Sequence, residues 1–260
     1  KGISFTEFSY QIIQAWDFEY LYKNHNCTLQ IGGQDQWGNI TSGSELIRRV
    51  HSSDAKVYGL TFPLVTKADG TKFGKTESGA IWLDKNKTSV YEFYQYWINT
   101  SDEDVINRLK QFTFLSKTEI NKIAKSLENE PEKRLAQNTL ANELTKLVHG
   151  KTELNKAINV SKALFSGKIK NLTIDEIEMG FKDLPSIIVD DQINLVEALI
   201  KLDLVKSKRE AREMIKNNAV AINGEKINDT YYQIDKSLAF GKKYTIIRKG
   251  KKKYGVIKHN

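Results

Sequence analysis

Apolar and polar residues alternate along this chain in two distinct rhythms, and the change of rhythm divides it. Ser4 and Glu7 form a Ser-x-x-Glu capping pair ahead of a run with helical spacing, which predicts a helix from about Phe5 to Lys23. Phe8, Ile12, Ile13 and Ala15 spread around much of that helix, so it is expected to be buried. Thr28 to Ile31 reads as a short buried strand. A bend at Gly32-Gly33 leads to a second helix from about Gly38 to His51, and Leu60 to Thr66 reads as another strand. Strand, helix, strand predicts a parallel α/β arrangement.

Beyond Asp84 the period becomes helical throughout. Helices are expected at Thr88–Asn99, Ser101–Phe112, Ser116–Asn129, Pro131–His149 and Lys151–Phe165, with starts marked by Ser101/Asp104, Ser116/Glu119 and Pro131. A break near Pro185–Gln192 precedes two more helices, about Asn194–Leu202 and Ser207–Asn217. Short strands joined at the hairpin signal Asn223-Gly224 follow. The expected fold class is therefore α/β, then an all-α middle domain, then a small α+β domain. Internal repeats and low-complexity tracts are lacking.

Composition refines this division. With 260 residues and 40% hydrophobic content the chain can bury a substantial core. No stretch approaches the length of an apolar membrane span, and the first thirty residues lack the basic-then-apolar pattern of an export signal, so a cytoplasmic location is expected. Cys27 is the single cysteine, which excludes an internal disulfide and reads as a half-buried small hydrophobe. The opening residue is Lys1, within a helix approach, so the sequence reads as a fragment. Net charge is +8, unevenly spread: from Lys206 onward there are 15 Lys and Arg against 5 Asp and Glu, and before it 25 against 27. A block this basic suits a phosphate-backbone partner, with ordinary solvated surface as the alternative.

Candidate chemistry gathers in the first ninety residues. Tyr10, Gln14 and Asp17 fall at i, i+4 and i+7, placing a phenol, a carboxamide and a carboxylate on one stripe, which faces either a polar ligand or solvent. At the Gly32–Asn39 bend, Asp35 is placed to bond ribose hydroxyls and Gln34 or Gln36 to reach a carboxylate or carbonyl. A double glycine alone marks only a turn. Lys72 and Lys75 sit on a glycine-containing loop suited to gripping phosphates, although a lysine pair in so basic a chain is usually solvated. His25, His51, His149 and His259 lack metal-ligand spacing, and no metal site is expected.

Three strings carry a resemblance: Phe5-Thr-Glu-Phe-Ser-Tyr10, Ile31-Gly-Gly-Gln-Asp-Gln-Trp-Gly-Asn-Ile-Thr41, and Pro63 to Gly79 with its Lys72-Phe-Gly-Lys-Thr76 core. They resemble bacterial tyrosyl-tRNA synthetases, of class I, from Gly2 to Lys258, beginning partway through the family's catalytic domain and without its His-x-Gly-His signature. The resemblance implies the carboxyl half of a Rossmann-like catalytic domain at 1–87, a helical anticodon-side domain at 88–184 and an RNA-binding domain at 185–260. It implies that Tyr10, Gln14, Asp17 and Gln36 hold tyrosine, and that Gly33 and Asp35 contact the adenylate ribose. Lys72 and Lys75, with Thr76, would act catalytically on ATP at the position of the KMSKS signature, where Gly74 and Thr76 replace serine-type residues. The segments Ser207 to Ile215 and Ala221 to Glu225 resemble an RNA-binding domain shared with a ribosomal protein, which gives Lys206, Lys208, Arg209, Arg212 and Lys216 an RNA-binding role.

The implied reaction is ATP-dependent ligation of L-tyrosine to tRNA(Tyr), with Mg2+ accompanying ATP and a homodimer as the intact enzyme. This chain alone is expected to be inactive, because half the adenylate site lies outside it. A non-catalytic RNA-binding module derived from a synthetase is the alternative.

Overall fold

The first helix starts where its polar residues dictate. Ser4 Oγ accepts the Glu7 backbone N–H (3.2 Å), the Glu7 carboxylate accepts the Ser4 backbone N–H (2.8 Å), and α1 (Phe5–His25) follows, closed by Asn26 in the left-handed conformation. The computed structural model describes residues 2–66, 81–182, 184–251 and 253–260, and the chain divides into two compact units, Lys1–Gly79 and Ala80–Asn260.

In the first unit, β1 (Leu29–Gly33) leads through a 3-10 turn at Gln34–Gln36 into α2 (Trp37–Val50), and β2 (Tyr58–Phe62) pairs parallel with β1 from Leu29↔Tyr58 to Gly33↔Phe62. The strand expected at Leu60–Thr66 is thus displaced toward the amino end, because Pro63 has no N–H to continue the ladder. α1 packs on α2, where Ala15 and Phe18 come up against Gly43, and where Ile40 and Ile47 are buried, and the buried Glu19 carboxylate meets His51 Nε2 at 2.7 Å.

Two expectations of burial are overturned here. Phe8, Ile12, Ile13 and Trp16 of α1 are each more than half exposed, as are Leu29 and Ile31 of β1. Among the described residues only the α2 side of α1 is covered and β1 has a single partner strand, so little apolar surface leaves the water.

The second unit opens with α3 (Val90–Ile98), α4 (Asp102–Phe112), α5 (Lys117–Asn129), α6 (Leu135–Ser166) and α7 (Ile174–Phe181). Reciprocal caps at Ser89/Glu92, Ser116/Glu119 and Thr173/Glu176 start three of them. Ser101 differs: its hydroxyl lies 3.4 Å from the Asp104 carboxylate and makes no bond to the helix backbone. Pro131 opens a separate 3-10 turn, Pro131–Lys133, and the helix expected there begins at Leu135. The helices expected on either side of Gly150 are the two halves of α6, broken at that residue (φ 84°, ψ 167°).

A sheet of order β3-β9-β8-β5-β6 completes this unit: β3 (Ser186–Val189), β5 (Val220–Ile222), β6 (Glu225–Lys226), β8 (Tyr244–Lys249) and β9 (Lys253–His259). β3 runs parallel to β9 and the other pairs are antiparallel. Two short strands, β4 (Gln192–Asn194) and β7 (Gln233–Asp235), pair beside it. The segment read as a break near Pro185–Gln192 is therefore β3 and the start of β4. Side-chain alternation gives the sheet two covered faces. Ile247 and Ile257 pack with Leu199 of α8 (Leu195–Lys201) and Ile215 of α9 (Lys208–Lys216). Ile246, Tyr254 and Val256 pack with Val160 of α6 and Phe181 of α7. Leu202, just past α8, lies over Gly255, which faces Ile247 across the ladder.

Candidate functional site

The polar stripe of α1 borders a cleft. Tyr10, Gln14 and Asp17, with Ile13 between them, face Ile31 in the middle of β1 and Gln36 in the following turn around a volume of about 400 Å³. Helical spacing sets the first three side by side, and the strand-to-turn connection brings in the second amide. The lining combines one carboxylate that only accepts, two carboxamides that donate and accept, a phenol, and two apolar side chains. A small molecule with an apolar body, a hydroxyl, an ammonium and a carboxylate group would find a partner for each.

The turn is built differently from the glycine bend expected. Gly33 is ordinary extended backbone (φ −65°, ψ 161°), and the change of direction falls on Gln34–Gln36. Gln36 Nε2 donates to Asp35 Oδ2 (3.2 Å), and Asn39 Nδ2 donates to Gln36 Oε1 (3.1 Å). Gln34 and Asp35 are exposed and do not line the cleft. Lys72, Lys75 and Thr76 lie outside the described residues. Ile13, Ile31 and Asn39 were not singled out from sequence. The two isoleucines flank the polar positions and read there as ordinary core residues, while Asn39 stands one turn beyond Gln36 without any motif of its own.

A second assembly sits on α9. Ser207 caps it by accepting the Glu210 N–H (3.2 Å), and Ala211 and Ile215 are buried. Lys208, Arg209, Arg212 and Lys216 then fall within about 100° of arc, centred roughly a quarter-turn from the buried pair. All four, and Lys206 just before the helix, are exposed. Glu210 does little to offset them, since its carboxylate is engaged by Lys249 Nζ (2.6 Å) and by the Lys206 backbone N–H (2.8 Å), which hold it below the usual carboxylate range.

The remaining chemistry-bearing side chains are accounted for by packing. His149 stands edge-on to Phe93 and His259 bonds Thr245 Oγ1 (2.9 Å); burial lowers the pKa of both. Cys27 is half-buried, its Sγ 3.6 Å from the Leu29 carbonyl oxygen. Among the described residues no group of three or more His, Cys, Asp or Glu is arranged to hold a metal, and no helix is long and apolar enough to cross a membrane.

Comparison with known proteins bears on both assemblies. Residues 1–166 match the model described as tRNA synthetases class I (W and Y), and residues 176–257 match the tyrosine–tRNA ligase SYY-like C-terminal domain. Tyrosine–tRNA ligase 1 of Bacillus subtilis is 57% identical over 99% of this chain, and the tyrosine–tRNA ligase of Geobacillus stearothermophilus 58% identical over 99%. The chain spans 61% and 62% of the length of those two relatives. Among solved structures, a C-terminally truncated mitochondrial tyrosyl-tRNA synthetase of Aspergillus nidulans is 38% identical, with a TM-score of 0.52, over 64% of this chain and 48% of that one. The chain belongs to the class I tRNA synthetases of the W and Y family.

Proposed function

We propose that this chain is the larger part of a tyrosine–tRNA ligase, which activates L-tyrosine with ATP and transfers it to tRNA(Tyr). The observation that carries the reading is the shared cleft of Tyr10, Gln14, Asp17 and Gln36. In it Asp17 accepts from the substrate hydroxyl, Tyr10 and Gln14 take the ammonium group, and Gln36 donates to the carboxylate. A substrate without the hydroxyl leaves Asp17 unpaired; rejection of phenylalanine by ligases of this kind is the standing example of that effect.

Activation joins the tyrosine carboxylate to the α-phosphorus of ATP and expels pyrophosphate. Gly33 and Asp35, beside the cleft, serve the adenylate ribose. Lys72 and Lys75, with Thr76, stabilise the charge that grows on the leaving pyrophosphate, more strongly in the transition state than before it. Magnesium enters with ATP, on its phosphates. The cations of α9 grip the tRNA backbone, where shape and phosphate contacts outweigh base reading. Residues 1–87, 88–184 and 185–260 then divide the work among activation, anticodon-side support and RNA grip. The enzyme works in the cytoplasm as a homodimer.

Tyrosine-dependent exchange of pyrophosphate into ATP tests the reading. A protein of the relatives' length carrying these residues exchanges, and the 260-residue chain alone does not. Asp17→Ala in the longer protein lowers kcat/KM for tyrosine by about ten- to a hundredfold with little change in ATP affinity, as loss of a hydrogen bond to a charged group predicts. The reverse pattern would relocate the pocket.

A further inference from the structure

We infer that Asn39 is a positioning residue, one that touches no substrate but fixes which end of the Gln36 carboxamide the cleft presents. The inference rests on the reading of the cleft as the tyrosine site. A carboxamide has a donor end and an acceptor end of nearly equal size, so its sense must be imposed from outside. Asp35 imposes half of it: an ionised carboxylate only accepts, so the group 3.2 Å away at Asp35 Oδ2 must be Gln36 Nε2. Gln36 Oε1 is then turned back toward α2, where Asn39 Nδ2 donates to it at 3.1 Å. Asn39 is half-buried and is not part of the cleft lining, whereas Gln36 is.

The consequence is polar. With its oxygen tied by Asn39 and one N–H given to Asp35, Gln36 has one N–H left for the cleft. An anionic substrate carboxylate needs a donor there, and a flipped amide would confront it with a carbonyl oxygen. The NH2 group also stands between two negative groups, Asp35 and the substrate, giving one hydrogen to each and offsetting part of their repulsion. Released from Asn39, the amide is held in that sense by the exposed Asp35 contact alone, its oxygen is untied, and the preference for a carboxylate weakens.

The test compares binding of tyrosine with binding of tyramine, which lacks only the carboxylate, by calorimetry on a protein of the relatives' length. Asn39→Ala is expected to weaken tyrosine about three- to tenfold, the worth of one ordinary hydrogen bond, and tyramine less than twofold. Asn39→Ser, which keeps a donor, recovers part of the loss. In a Gln36→Ala background Asn39→Ala adds nothing, because the group it steers is gone. Equal weakening of both ligands by Asn39→Ala, no weakening of either, or an undiminished effect in the Gln36→Ala background overturns the inference. If the unsubstituted protein binds neither tyrosine nor tyramine, the tyrosine reading itself fails, and the inference with it.

Discussion

Around α1 the water-avoiding side chains lie on the outside; around β8 and β9 they lie within. Among the described residues of the first unit only Ala15, Phe18, Ile40 and Ile47 are fully covered apolar residues, while Ile12, Ile13, Trp16, Leu29, Ile31 and Leu60 are each more than half exposed. The second unit covers both faces of its sheet. The contrast separates two uses of apolar residues. In the second unit they hold the fold together; in the first, many are free to be covered by something else, and the polar cleft lies in their midst. Apolar composition alone does not distinguish the two, because exposure is decided by what packs against a residue, and only the tertiary structure supplies that.

Substitutions that separate the two units sharpen this comparison. The largest effect belongs to the closed core: Leu199→Ala, at a fully buried position, lowers unfolding stability by about 2–5 kcal/mol in denaturant titrations, and a loss below about 1 kcal/mol would mean that this core is looser than described. Next comes the surface that the second unit shows to water. Replacing Lys208, Arg209, Arg212 and Lys216 together by alanine weakens tRNA binding about a hundredfold at moderate salt and lowers the salt slope by roughly one per cation removed. An unchanged slope would detach α9 from RNA.

A smaller effect follows from acidity. Burial, the leading cause, holds His149 and His259 of the second unit below the ordinary histidine value of 6.5; Lys85 and Lys236 add to this, and Glu153 and Asp235 oppose it. The unfolded chain binds those protons more readily, so stability is full above about pH 6.5. It falls as pH drops through that value toward the lowered folded values. Melting temperatures measured from about pH 8 to about pH 5.5 should decline, and substituting both histidines by glutamine should flatten the decline. The smallest effect is expected in the first unit: Leu60→Thr, more than half exposed in β2, changes the stability of this 260-residue chain by no more than about 0.5 kcal/mol. A loss comparable with that of Leu199→Ala would erase the distinction between the units.

Much of the secondary structure was legible because its signals are local. Ser4 with Glu7 and Ser116 with Glu119 announce helices within four residues of sequence, and Asn223-Gly224 announces the β5–β6 hairpin. α7 escaped notice although Thr173 and Glu176 carry the same pattern, because only eight residues follow and they complete few turns. β3 was hidden for a different reason. Ser186 to Val189 is four residues between Pro185 and Asp190-Asp191, and its partner β9 lies some seventy residues away, so nothing nearby marks it as a strand. In the candidate site the stripe of Tyr10, Gln14 and Asp17 followed from helical periodicity, whereas the bend left Gln34 and Gln36 equally open and only the family resemblance pointed to Gln36. The hold of Asn39 on Gln36 is a matter of two side-chain rotamers, which periodicity does not determine.

The notch at Gly255 answers a problem that a sheet buried on both sides creates for itself. When one face is wet, a strand that slips by a residue exposes its apolar set and is penalised at once. β8 and β9 have no wet face: Ile246 and Ile247 both enter apolar surroundings, so exchanging them would cost little by hydropathy alone. Shape supplies the missing distinction. Leu202 fills the space where position 255 has no side chain, within 3.0 Å of where a Cβ would stand. A one-residue shift would drive Tyr254 or Val256 into that leucine, so the pairing of the two strands is dictated by a missing methyl group.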